Sequence, residues 1–187
     1  MSRFLVTDLS LAGLRKVQRI PMSDSRGFLV RLFCADELAT AGWRGPVAQI
    51  NHTHTVRRGT VRGMHYQLAP HAEMKLVSCV QGEVFDIAVD VRPESPTYLQ
   101  WAGLKLSAHN HDALLIPIGF AHGFQALSDD VELIYCHSAP FVATAQAALN
   151  PLDPCLALRW PLPISELSER DQSHPFLPSS PLSTICR

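Results

Sequence analysis

The chain has 187 residues, 47% of them hydrophobic, which is enough for one full core and suits one domain better than two. Sixteen Lys and Arg nearly balance seventeen Asp and Glu, leaving a formal net charge of -1. With neither a basic stripe nor an acidic tail, nucleic acid and anionic membrane are excluded as main partners.

The N-terminal MSRFLVTDLSLAGLRK lacks the apolar run of a signal peptide, and no stretch approaches the ~18 apolar residues of a membrane helix. Five scattered cysteines (Cys34, Cys79, Cys136, Cys155, Cys186) form no C-x-x-C pair and read as reduced thiols, so a cytoplasmic protein is expected. Turn signals recur at Asp24 to Gly27, Pro93 to Pro96, Asn110 to Asp112 and Ser128 to Asp130. DELATAG (36–42) has room for two helical turns. KLVSCV (75–80) and VFDIAVDV (84–91) read as strands, with Gln81-Gly82 as the tight turn of a hairpin between them. In the second, Phe85, Ile87, Val89 and Val91 alternate with Asp86 and Asp90, the pattern of a half-buried strand. Trp101 to Leu106, Ala113 to Ile116 and VELIY (131–135) follow as short strands, the last with Val131, Leu133 and Tyr135 on one face. LSERD (167–171) opens a short helix with Ser168 as N-cap. Many short strands at this spacing predict an all-β sandwich or barrel. The Pro- and Ser-rich residues 178–187 read as a surface or disordered tail to a single domain over 1–177.

Chemistry-bearing side chains crowd into VRGMHYQLAPHAEMK (61–75). Alternation puts Gly63, His65 and Gln67 on one side of a strand, with Arg62 three residues before His65 and Lys75 ten after it. A polar set facing into a barrel mouth makes a site; the same set facing out makes a solvated surface, and both readings stay open. His122 lies in the sharp turn of IPIGFAHGF (116–124), where its ring can simply brace the loop. Tyr135 ends a strand, where a core aromatic places its hydroxyl at the rim. Asp171 can complete a capping box for the last helix. Lys75 and Arg26 also have plain surface readings.

RGMHYQ (62–67), KLVSCVQGEVFDIAVDVRPESPTY (75–98), IPIGFAHGF (116–124) and LSERDQSHPFL (167–177), with DSRGF (24–28) and QINHT (49–53), together resemble the dTDP-4-dehydrorhamnose 3,5-epimerase family, in the family's order from about residue 4 to 177. The resemblance implies a cupin-type antiparallel jelly roll with a short C-terminal helical segment. It also implies a homodimer with exchanged N-terminal strands, and an isomerase that needs no metal or other cofactor. The implied substrate is a nucleotide-linked 4-keto-6-deoxy sugar, dTDP favoured over CDP or GDP, inverted at carbon 3, carbon 5 or both in deoxysugar biosynthesis. By the same resemblance His65 matches the general base, Asp171 the acid that orients it, Tyr135 the general acid on the opposite sugar face, and Lys75 the group near the keto oxygen. Arg62 and Arg26 match diphosphate and substrate contacts, Gln49 and Asn51 nucleotide or sugar contacts, and His122 a further active-site histidine.

The residue types suit that chemistry. A base tuned near neutrality removes the proton beside a ketone, a carboxylate fixes its tautomer, a cation stabilises the enolate oxygen, and a phenol returns the proton from the other face. The chain departs from the family's pattern at Arg31, where Glu is usual, and at Phe141, where a second tyrosine is common. Two alternatives remain. A metal cupin would use Gly59, His65, Pro117, Gly119 and His122, but Gln67 stands where its second histidine belongs and Glu73 falls late. A non-catalytic nucleotide-sugar binder would keep only the fold.

Overall fold

The structure, a computed structural model, describes residues 2–178; the rest of the expected tail, 179–187, lies outside the described residues. Strands dominate. In chain order they are β1 (Phe4–Asp8), β2 (Arg15–Arg19), β3 (Met22–Asp24), β4 (Gly27–Leu29), β5 (Gln49–Thr55), β6 (Thr60–Gln67), β7 (Lys75–Gln81), β8 (Glu83–Asp90), β9 (Trp101–Ser107), β10 (Asp112–Ile116), β11 (Phe120–Ala126), β12 (Val131–His137), β13 (Gln146–Ala148) and β14 (Glu166–Leu167). The expected short helices are α1 (Ala35–Thr40) and α2 (Glu169–Gln172).

Two sheets form a jelly roll. The first runs β1-β2-β10-β7-β12-β5 and the second β13-β6-β11-β8-β9, antiparallel throughout except that β14 joins β6 in parallel. β3 and β4 form a separate ribbon across the Asp24 to Gly27 turn. Val77, Leu114 and Leu133 of the first sheet pack against Val84, Leu106 and Phe124 of the second, so the predicted inward face of β12 is observed.

Two expectations change. Gln81-Gly82 does not close a hairpin: β7 pairs with β10 and β12, whereas β8 pairs with β9 and β11. The turn is a corner at which the chain crosses from one sheet to the other, with Gly82 at a φ of +70°. Nor is β8 half-buried. Val84 and Ala88 face the space between the sheets, while Ile87 and Val89 lie under Leu149, Leu156 and Trp160 of the C-terminal segment. Periodicity reports an alternation of residue types, and an irregular segment that covers the outer face leaves no trace in it. The outer face of the first sheet is similarly covered, by Leu38 of α1 and by Trp43 against Val17, Leu76 and Leu115.

A bulge in β6 sets which of its side chains turn inward. Arg62 is opposite Phe124 and His65 opposite His122, three steps along β6 against two along β11. The extra residue sits where Gly63 and Gly123 meet. A Cβ on Gly63 would lie 2.5 Å from Gly123 Cα, and Gly63 has a φ of +143°, so two glycines are needed for the strands to close here. Gly63→Ala should therefore destabilise the fold by about 1–3 kcal/mol, seen as a melting temperature lower by roughly 2–10 °C in thermal denaturation. An unchanged midpoint would contradict the close approach.

Candidate active site

A cavity of about 560 Å³ opens between the sheets, walled by β5, β7 and β12 on one side and by β6, β11 and α2 on the other. Because of the bulge, Arg62 and His65 both reach it, although strict alternation would have turned them to opposite faces. Of the residues singled out from the sequence, His65, Tyr135, Asp171, Lys75, Gln49, Asn51, Arg62 and His122 all line this one cavity.

Asp171 does not complete a capping box. Ser168 Oγ does accept the Asp171 N–H at 3.1 Å, as an N-cap should. The Asp171 carboxylate instead turns to β6, where it accepts from His65 Nε2 at 2.8 Å and from the Gly63 N–H at 3.3 Å. Its side chain is only 6% exposed. Burial raises its pKa, but the bond and charge of His65, the Gly63 N–H and Ser168 together outweigh burial, and the group sits below the ordinary carboxylate range. A carboxylate can only accept, so His65 carries its proton on Nε2 and presents Nδ1 as the free lone pair.

Tyr135 comes from the opposite sheet, paired in register with Asn51 of β5 and Val77 of β7. Its ring meets His122 edge-on, at 5.8 Å between centroids, and stacks with His137 at 6.2 Å. Burial above all raises its phenol pKa, keeping the hydroxyl protonated at neutral pH. Lys75, also buried, donates from Nζ to His65 O at 3.0 Å and pairs with Glu73 Oε1 at 3.2 Å. Burial lowers its pKa, and Glu73 opposes that shift. An ammonium has three N–H donors; two are committed here and one is left. Arg62 is braced on β5 by Thr55 Oγ1 at 3.1 Å and His54 O at 3.2 Å. Gln49 Nε2 donates to Asn51 Oδ1 at 3.0 Å.

His122 does more than brace a turn. Its Nε2 bonds Asp86 Oδ1 at 2.7 Å, and both side chains are almost wholly buried. Sequence reasoning misses Asp86 as a site residue. Alternation in a half-buried strand would turn it to solvent, whereas it faces inward beside His122. Glu73 escapes as a support for the site as well; it holds both Lys75 and Gln67. The metal-cupin set is not assembled: the Nε2 atoms of His65 and His122 each bond a different carboxylate, and Gln67 bonds Glu73. Among the described residues, the group with metal-ligand proximity is a different one: His65, Asp171 and His174.

Arg26 is not at the cavity. It lies on the β3–β4 turn, its side chain 87% exposed and paired with Asp24 at 2.6 Å. The hairpin lies at the far side of the first sheet's end, where its Phe28 ring meets His111 beside β10 at 5.1 Å. Arg31 pairs with Glu37 of α1, also away from the cavity, while Phe141 stands exposed at its rim, its N–H donating to Gln49 Oε1 at 2.9 Å.

The family model described as dTDP-4-dehydrorhamnose 3,5-epimerase matches residues 8–179. The chain belongs to the dTDP-4-dehydrorhamnose 3,5-epimerase family. This is a family of isomerases with the cupin-type jelly roll that the sequence predicts. The chain is 38% identical over 180 residues to the dTDP-4-dehydrorhamnose 3,5-epimerase of Sinorhizobium fredii, covering 94% of this chain and 90% of that one. It is equally 38% identical over 165 residues to the dTDP-4-dehydrorhamnose 3-epimerase of Streptomyces niveus, covering 88% and 79%. The crystal structure of the Bacillus anthracis dTDP-4-dehydrorhamnose 3,5-epimerase, with TDP and PPi bound, superposes with a TM-score of 0.89 at 34% identity, over 93% of this chain and 99% of that one.

His137 supplies a pH test of this epimerase-family site. Burial first, then the charges of Lys75 and His122, depress its pKa from the ordinary 6.5 to about 4. Between those values the unfolded chain binds a proton that the folded chain refuses, so stability is lost as pH falls through this window. His137→Gln should flatten the fall of melting temperature between pH 6.5 and about 4. A slope equal to that of the parent chain would contradict the buried, neutral imidazole.

Proposed function

We propose that this chain epimerises a nucleotide-linked 4-keto-6-deoxy sugar, dTDP-linked, at carbon 3 or at carbons 3 and 5, by way of an enolate. The observation that carries this reading is the buried Asp171 carboxylate on His65 Nε2, set across one cavity from a Tyr135 that belongs to the other sheet. His65 Nδ1 removes the proton from the carbon beside the ketone, and Asp171 stabilises the imidazolium that results. The remaining Lys75 donor meets the enolate oxygen as charge develops there. Tyr135, held protonated by burial, returns a proton to the opposite face of the ring, which inverts the centre. Arg62 at the cavity mouth takes the diphosphate, Gln49 and Asn51 the nucleoside side, and the His122–Asp86 pair supports Tyr135 from below. The dTDP preference rests on the relatives' named substrates and on the TDP in the Bacillus anthracis structure.

The working unit is a homodimer with exchanged N-terminal segments. Met22, Phe28 and Leu29 are exposed on the β3–β4 ribbon, and β5 is the last strand of its sheet with Ile50 64% exposed. Apolar side chains on a detached ribbon and beside an open sheet edge are what a second copy would cover. The exchange also gives Arg26 a route to a cavity, that of the partner.

Two measurements test the reading. Solvent-deuterium exchange, followed by NMR with dTDP-, CDP- and GDP-linked 4-keto sugars, should show label entering beside the ketone of the dTDP sugar. His65→Ala should abolish that entry, and Tyr135→Phe should spare proton removal better than inversion; normal exchange without His65 would end the assignment. Phe28→Asp should shift the sedimentation coefficient from dimer to monomer, and a monomeric parent chain would contradict the exchange.

A further inference from the structure

The turn after α2 carries a histidine that the proposed chemistry leaves unused. His174 is fixed in place: its carbonyl accepts from Asn150 Nδ2 at 2.7 Å, and three residues on the Leu177 N–H donates to Asp153 Oδ2 at 2.6 Å. Its Nε2 is nonetheless buried without a hydrogen-bond partner. An unpaired buried polar atom costs about 1–3 kcal/mol, so a group that satisfies it has a ready gain. One ligand atom each from His174, His65 and Asp171 lies within 4.8 Å of the other two. Two imidazoles and a carboxylate are a common donor set for zinc and its neighbours among the divalent transition metals.

We propose that a divalent transition metal, zinc foremost, binds reversibly to His65, Asp171 and His174 and switches the enzyme off. The site differs from the metal-cupin set, because it uses the C-terminal segment and leaves His122 out. Its effect is also opposite, since the metal takes the base away from the reaction. The metal takes the Nε2 lone pair of the neutral imidazole, whose proton moves from Nε2 to Nδ1, so the Nδ1 lone pair that would accept the substrate proton is lost. Asp171 then ligates the metal instead of orienting a free imidazole. Metal–ligand bonds of about 2.0–2.2 Å need donor atoms roughly 3.3 Å apart, so the widest present separation must close by rotation of the side chains. His65 has room for this, its side chain being 32% exposed. Three protein ligands leave the fourth position of a tetrahedron to water. Inhibition rests on His65 being the base; binding of the metal does not.

The test uses cobalt(II) as a visible probe of binding and zinc as the inhibitor, on the full chain. The parent protein should bind one cobalt per chain with the absorption bands of a tetrahedral site. His174→Ala should weaken cobalt binding by about 10–100-fold or more, since loss of even an indirect contact to a metal costs that much. The zinc concentration that halves deuterium exchange, measured against each variant's own metal-free rate, should rise by the same factor. His52→Ala, at an exposed histidine paired with Glu132, should behave like the parent. If His174→Ala does not fold, His65→Asn carries the binding arm and should lose the cobalt bands as completely. Unchanged cobalt binding in a folded His174 or His65 variant would overturn the site. Cobalt bound as expected by a parent chain that exchanges no deuterium would support the metal site and sink the epimerase reading alone.

Discussion

One hydrogen bond, from His65 Nε2 to Asp171 Oδ1 across 106 residues of chain, ties the chemistry of this protein to its architecture. His65 stands on a strand of the second sheet and Asp171 on a four-residue helix near the C-terminus. So short a helix has no stability of its own. It is held by the Ser168 cap, by Asn150, whose Nδ2 donates to the carbonyls of Gln172 and His174, and by the parallel pairing of β14 with β6. The carboxylate that fixes the His65 tautomer therefore also docks the C-terminal segment over the second sheet. The same segment buries Ile87 and Val89 and supplies His174. Folding and the acid–base machinery share one contact.

The second constraint is the meeting of two glycines. A regular β6 would send Arg62 and His65 to opposite faces, one into the cavity and one away from it. The extra residue at Gly63, admitted because Gly123 opposite has no side chain, turns both inward. A guanidinium and an imidazole are thus delivered to the cavity side by side from one strand. The facing sheet contributes the complementary groups: a buried ammonium at the start of β7 and a buried phenol near the end of β12. Burial keeps Tyr135 protonated, and at Lys75, where burial lowers the pKa, the Glu73 carboxylate works against that loss of charge.

Much of this was legible in the sequence, because period-two alternation survives wherever a strand has one inner face, as in Val131, Leu133 and Tyr135. The Ser168 cap and the turn at Asp24 to Gly27 were legible for a local reason, since a few adjacent residues determine them. What failed was what depends on distant chain. Gly82 looks the same in a hairpin and at a corner between sheets. The outer face of β8 is buried by residues some 60 positions later, and Asp86 gains its meaning only from His122. Arg26 sits on the turn of a ribbon away from the cavity, a placement that its local motif does not reveal. The motifs located side chains that line one cavity, but their burial and pairing came from topology.

The central claim is that Asp171 works through the imidazole of His65. The most direct test is Asp171→Asn, with deuterium exchange and thermal melting measured on the same sample. The amide keeps the size and the Ser168 cap but no longer holds the proton on Nε2. Exchange should fall by about 10²–10⁴ in a chain that is still fully folded at the assay temperature, whatever its loss of melting temperature. A variant that melts well below the parent yet exchanges deuterium at the parent rate would show that the Asp171 carboxylate docks the C-terminal segment and does nothing for the base.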